Sequence, residues 1–75
     1  MPFPRITVRA DQMDGAPCIR GMRIPVATVV RLVANGLSTA EILDMYPQLE
    51  AEDVREALLY AAAAAQRELP LASNE

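Results

Sequence analysis

The residues best suited to chemical recognition lie in the segment Cys18–Val26, where Arg20 and Arg23 flank Gly21. A guanidinium group makes planar, bidentate contacts with phosphate or carboxylate groups. Gly21 leaves room for a phosphate or a partner backbone to approach, and Pro25 restricts the backbone that follows. The segment therefore indicates recognition rather than catalysis, although solvated arginines beside a simple turn fit the same pattern.

The composition excludes several classes of protein. The chain has no histidine and a single cysteine, Cys18, so it can form no internal disulfide and lacks the usual ligand sets for zinc and iron–sulfur clusters. Without histidine, a cysteine pair or a glycine-rich phosphate loop, we expect neither an enzyme nor a cofactor. The apolar run around Ala61–Ala65 falls far short of the roughly 20 residues that span a bilayer. We expect a soluble, cytoplasmic protein without membrane contact.

The charge divides along the chain. Residues 1–31 carry five arginines against two acids, or +3, whereas residues 32–75 carry two arginines against eight acids, or −6. The chain contains no lysine, which suits bidentate contacts but is also what a compositional bias of an alanine-rich coding sequence would give. The positions of the arginines, rather than their number, must carry the functional argument.

The front of the chain predicts extended structure. The alternation of Arg5–Arg9 indicates a short strand with Arg5, Thr7 and Arg9 on one face and Ile6 and Val8 on the other. Turn residues follow, and 18–24 is predicted to return as a second extended piece. This piece could pair with the first strand of the same chain or with a second copy, and both arrangements remain open.

Three helices are predicted behind it. Pro25 suits a helix start and Asn35-Gly36 a helix end, with valines at helical spacing between them. Ser38 and Glu41 form a capping box for a second helix that begins near Thr39 and that Pro47 ends after about two turns. A third helix is predicted from about 51 to 66 or 67. We therefore expect one domain over residues 1–66 and a loose tail over 67–75.

This order predicts a mostly α-helical, homeodomain-like or helix-turn-helix trihelical domain preceded by a short β-strand or hairpin. In such a unit the start of the third helix faces DNA, but here it carries Glu50, Glu52, Asp53 and Glu56, which phosphates repel. Nucleic-acid contacts are therefore predicted in the front segment. The candidate residues are Arg5, Arg9, Arg20 and Arg23, with Arg31 as a further candidate.

The chain also resembles a known family. The motifs that carry the resemblance are Arg5-Ile6-Thr7-Val8, the run from Gly15 to Val26, Asn35-Gly36-Leu37-Ser38, Glu41-Ile42-Leu43, Tyr46-Pro47, Glu52-Asp53-Val54, Ala57-Leu58 and Tyr60-Ala61. Together they are similar to the small bacterial family catalogued as domain of unknown function 433. The resemblance implies a homeodomain-like domain that acts as a VapB-type antitoxin. Such a protein neutralises a PIN-like ribonuclease toxin encoded beside it, with repression of its own operon as a further role.

Two functions therefore compete. The first is an antitoxin that binds a PIN-like ribonuclease and, as a homodimer, binds operator DNA through its arginines. The second is a protein-interaction adaptor on the same scaffold without DNA binding. A homodimer or a partner chain is expected in both cases, because a chain this short buries a small core. Leu69 and Leu71, which flank Pro70, are predicted to dock in a partner's groove.

Overall fold

The computed structural model describes residues 3–68, so the predictions for the tail, including Leu69 and Leu71, lie outside the described residues. Two short strands, β1 (Ile6–Thr7) and β2 (Cys18–Ile19), precede three helices, α1 (Val26–Ala34), α2 (Thr39–Met45) and α3 (Ala51–Glu68). A single 3-10 turn, Met13–Gly15, lies between the strands. The prediction of a mostly helical chain with an extended front segment is confirmed.

The strands pair within the chain, which settles one question that the sequence left open. β1 and β2 run antiparallel, with Ile6 opposite Ile19 and Thr7 opposite Cys18. The predicted strand Arg5–Arg9 is too long, because the chain leaves the sheet after Thr7. Val8 is 59% exposed, so its predicted place on an apolar face with Ile6 is wrong.

The segment after β2 is a turn rather than the predicted continuation of the strand to Ile24. Arg20 and Gly21 both have positive φ, +45° and +73°, and the Met22 N–H donates to the Ile19 carbonyl at 2.8 Å. Positive φ at both central residues is the pattern of a type I′ hairpin turn. The chain then folds back, and the Ile19 N–H donates to the Ile24 carbonyl at 3.0 Å. We call residues 5–25 the N-terminal hairpin.

Local signals account for the helix boundaries. Ser38 and Glu41 form the predicted capping box: the Glu41 N–H donates to Ser38 Oγ at 3.1 Å and the Ser38 N–H to Glu41 Oε1 at 2.7 Å. Gly36, with φ +92°, follows the C-cap of α1 and permits the left-handed backbone there. α2 ends at Met45, and Tyr46 is its C-cap, as the prediction that Pro47 ends this helix required.

One apolar core lies between the hairpin and the three helices. It comprises eight buried side chains: Ile19, Ile24, Val26, Val29, Ile42, Leu49, Val54 and Ala57. Cys18 is also fully buried and makes no disulfide. α3 packs against α1, α2 and β1, so the helix whose first turns are acidic also touches the arginine-rich hairpin. Within residues 3–68, no helix is both long and apolar enough to cross a membrane.

Candidate functional site

The first turn of α3 receives two of the four arginines that the sequence predicted as nucleic-acid ligands. Arg5 precedes β1, and Arg20 lies in the type I′ turn after β2, so pairing of the strands brings both to the same end of the hairpin. Asp53 is the third residue of α3 and is fully buried. Its carboxylate lies between the two guanidinium groups.

The contacts to Asp53 are short and numerous. Arg20 donates from Nη2 to Oδ2 at 2.8 Å and from Nε to Oδ1 at 3.0 Å, a bidentate pairing. Arg5 Nη1 donates to Oδ1 at 2.9 Å. The Glu50 backbone N–H donates to Oδ2 at 2.8 Å, so Asp53 also supplies half of a capping box for α3. The carboxylate therefore fixes two parts of the hairpin and the start of a helix together.

Two further acids complete the group. Arg5 Nη1 also donates to Glu50 Oε1 at 2.7 Å, and the Arg5 backbone N–H donates to Glu56 Oε2 at 2.6 Å. Glu56 is 7% exposed. We call Arg5, Arg20, Glu50, Asp53 and Glu56 the Asp53 cluster. Two positive and three negative charges give this cluster a formal charge of −1.

The pKa values follow from these contacts. Burial alone would raise the pKa of Asp53, but hydrogen bonds from the Arg20 guanidinium, the Glu50 N–H and the Arg5 guanidinium outweigh it and lower the pKa from 3.8 to about 2. Hydrogen bonds to Glu50 and then Asp53 raise the pKa of Arg5, and the hydrogen bonds to Asp53 raise that of Arg20. The Asp53 carboxylate and the two guanidinium groups are therefore ionised at neutral pH.

The other two predicted arginines lie apart from the cluster. Arg9 is exposed and pairs with the exposed Asp11 two residues later, at 3.3 Å. Arg23 is exposed and makes no ion pair within residues 3–68. The structure thus brings Arg5 and Arg20 together on carboxylates of the same chain and leaves Arg9 and Arg23 at the surface.

A second surface feature is an apolar groove of about 440 Å³ between the hairpin, α1 and α3. We call it the α1–α3 groove. Small and apolar side chains form most of its wall, with one cationic and one phenolic group among them: Pro17, Pro25, Ala27, Val30, Arg31, Tyr60, Ala61 and Ala64. Among the described residues, no group of three or more potential ligand side chains is placed to hold a metal ion.

Sequence reasoning missed both the burial of Asp53 and the groove. The Glu50–Asp53 spacing is that of an N-cap and N3 pair, which could have identified the role of Asp53 at the start of α3. No local pattern could have indicated its partner Arg20, which lies 33 residues away. The groove likewise needs the packing of α1 against α3, which helical periodicity alone does not predict.

The fold is that of a small domain in which a β-hairpin precedes three helices. A family described as "Protein of unknown function (DUF433)" matches residues 6–61, and the chain belongs to that family.

Two relatives agree with this assignment. The chain is 41% identical over 58 residues to the uncharacterized protein y4eO of Sinorhizobium fredii, a match that covers 77% of this chain and 26% of that protein. The crystal structure of a DUF433 member from Anabaena variabilis superposes with a TM-score of 0.77 at 33% identity, covering 84% of this chain and 62% of that one. The chain thus spans about a quarter and about three fifths of these relatives' lengths.

Proposed function

We propose that this protein is an antitoxin-type partner that binds and neutralises a PIN-like ribonuclease through protein contacts. One observation carries the proposal: the arginines that would best serve as phosphate ligands, Arg5 and Arg20, are occupied by carboxylates of the same chain. With a formal charge of −1, the Asp53 cluster repels nucleic acid. A ribonuclease that binds RNA presents positive charge, which an acidic surface complements.

The scaffold we propose is homeodomain-like, and it supports the same conclusion. The order of α1, α2 and α3 is that of a trihelical unit whose third helix enters the major groove with its first turns. Here those turns carry acids and contact the hairpin, so α3 is unsuited to read DNA. We infer that the exposed acids at its N-cap and in its first turn, Glu50 and Glu52, face a basic protein. The adaptor function uses the same surface without inhibiting a ribonuclease.

Co-expression with a PIN-like ribonuclease tests the proposal, and we expect the neighbouring reading frame to encode one. We expect a complex that co-purifies and no longer cleaves RNA. Glu52→Lys reverses an exposed charge at the start of α3 and should weaken binding about tenfold at low salt, because charges at an interface rim control association. Asp44→Lys makes the same charge reversal at an exposed position of α2 and is the matched control. Failure of the unsubstituted chain to bind or inhibit would contradict the proposal.

Operator binding is a second candidate function, favoured by the exposure of Arg9 and Arg23. A homodimer would present two copies of each. If these side chains contact phosphate, replacing both by Gln should reduce the slope of log affinity against log salt by about one per arginine. Arg55→Gln, at an exposed arginine on α3, is the control. If the chain shows no salt-dependent binding to the upstream DNA, operator binding is rejected, and ribonuclease binding and the adaptor function remain.

A further inference from the structure

The α1–α3 groove is a second surface with a chemistry different from that of the acidic start of α3. Its walls are prolines, alanines and valines, and the Tyr60 ring is held edge-on against Phe3, with ring centroids 5.3 Å apart and planes at 83°. This aromatic pairing fixes one wall of the groove. Ala61 and Ala64 of α3 present only methyl groups to the groove, so a partner backbone can approach closely beside them.

Arg31 is the one cationic side chain among the described residues that line the groove. Arg31 lines it from α1, is exposed, and makes no ion pair within the described part of the chain. Among the residues that the structure describes, no acidic side chain lines the groove. An occupant that buries apolar surface there and leaves Arg31 unpaired would forfeit a charge-assisted hydrogen bond, so a carboxylate on the occupant is the complementary group.

We propose that the α1–α3 groove receives an apolar segment of the partner protein that carries a carboxylate, which pairs with Arg31. This inference rests on the proposed function, since the partner is the PIN-like ribonuclease. An amphipathic helix fits this chemistry, with apolar side chains against the valine and alanine wall and an Asp or Glu at the arginine end. The acidic start of α3 and the groove are then two separate contacts with one partner.

A protein segment fits the groove better than a small molecule does. A volume of about 440 Å³ lies within the roughly 300–1,000 Å³ of ligand pockets, but such pockets combine apolar walls with several convergent polar groups. Among the described lining residues, the Arg31 guanidinium and the Tyr60 hydroxyl are the polar side-chain groups. The Val26 N–H at the start of α1 is not free to bind a ligand, because it donates to the Pro17 carbonyl at 2.9 Å.

The test is the affinity of groove variants of the full chain for the purified PIN-like ribonuclease. Ala64→Gln places a polar side chain in the groove, and Ala65→Gln makes the same change at the next, exposed position of α3, outside the lining. We expect Ala64→Gln to weaken binding about tenfold or more and Ala65→Gln to leave it unchanged. Ala27→Gln, at an exposed lining residue of α1, is the second groove variant should Ala64→Gln unfold the chain.

Arg31 tests the carboxylate separately. Arg31→Glu should weaken binding about tenfold or more, whereas Arg31→Lys keeps the charge and should stay within about threefold. Equal affinities of the unsubstituted chain and the groove variants would overturn the groove while leaving the proposed function intact. If the alanine variants lose affinity and Arg31→Glu does not, the groove is occupied but the proposed pairing of Arg31 with a carboxylate is wrong. No complex with the unsubstituted chain would contradict both the function and the groove.

Discussion

Asp53 connects two parts of the hairpin to the start of α3. Its two oxygens accept from Arg5, Arg20 and the Glu50 N–H, although the side chain is 0% exposed. A buried carboxylate with this many donors is stabilised as the anion. Both arginines remain partly exposed, with 29% and 36% of their side chains accessible, so water screens the outer part of the cluster.

Replacing Asp53 by Asn removes the charge but keeps the size. The two guanidinium groups then face a neutral amide, and an amide N–H meets donors where an oxygen accepted before. We expect the free energy of unfolding to fall by about 2 to 3 kcal/mol, less than for a wholly buried pair because the arginines reach solvent. Urea denaturation measures the change. Glu52→Gln removes only an exposed pair with Arg55, and its expected effect is below about 0.5 kcal/mol.

Acid should destabilise the fold through the same carboxylate. The pKa of Asp53 is lowered from 3.8 to about 2 in the folded chain. Its stabilising contribution is therefore present above pH 3.8 and is lost as the pH falls towards 2, where the folded state also takes up the proton. The shift corresponds to about 2 kcal/mol. Unfolding free energies measured across this interval should fall less steeply for Asp53→Asn; equal slopes would contradict the assignment.

The type I′ turn at Arg20-Gly21 places one of these arginines, and Gly21 makes the turn possible. Its φ of +73° is one that L-residues rarely adopt. Its N–H donates to the Thr7 hydroxyl, and its carbonyl accepts from the Gln12 side-chain amide. Because nothing lies within 4 Å of an added Cβ, the cost of a substitution comes from the backbone alone.

We therefore expect Gly21→Ala to destabilise the fold by about 1 to 2 kcal/mol, the cost of the left-handed region for an ordinary L-residue. Asn tolerates this region better, so Gly21→Asn should cost less than Gly21→Ala. Thermal unfolding of the two variants side by side measures the difference. Equal losses would mean that side-chain contacts, rather than φ, control this position.

Sequence reasoning predicted the helices well because their signals are local. The capping box of Ser38 and Glu41, Gly36 and Pro47 each act within a few residues, and all lie at observed helix ends. It overextended the strands, because a strand's length depends on its partner. The positive φ of Arg20 was not predicted either, because the following glycine is the only residue that suggests such a turn.

At the scale of the whole molecule, the division between a front of +3 and a remainder of −6 becomes an internal contact. The charge pattern showed that the arginines and the acids of α3 lie in different parts of the sequence. It led us to predict arginine contacts with DNA, whereas two of the arginines pair with these acids. The ion pairs link residues 33 to 48 positions apart, which no periodicity reveals. The result is a hairpin that is held against the start of α3, with the α1–α3 groove farther along the same helix.

A double-mutant cycle between Arg20 and Asp53 tests this account most directly. The free energies of unfolding of Arg20→Gln, Asp53→Asn and the double variant are compared with that of the unsubstituted chain. If the arginine is occupied by the buried carboxylate, the double variant should lose clearly less stability than the sum of the two single losses. Losses that simply add would show the two residues to be independent, and Arg20 would then be available to bind phosphate.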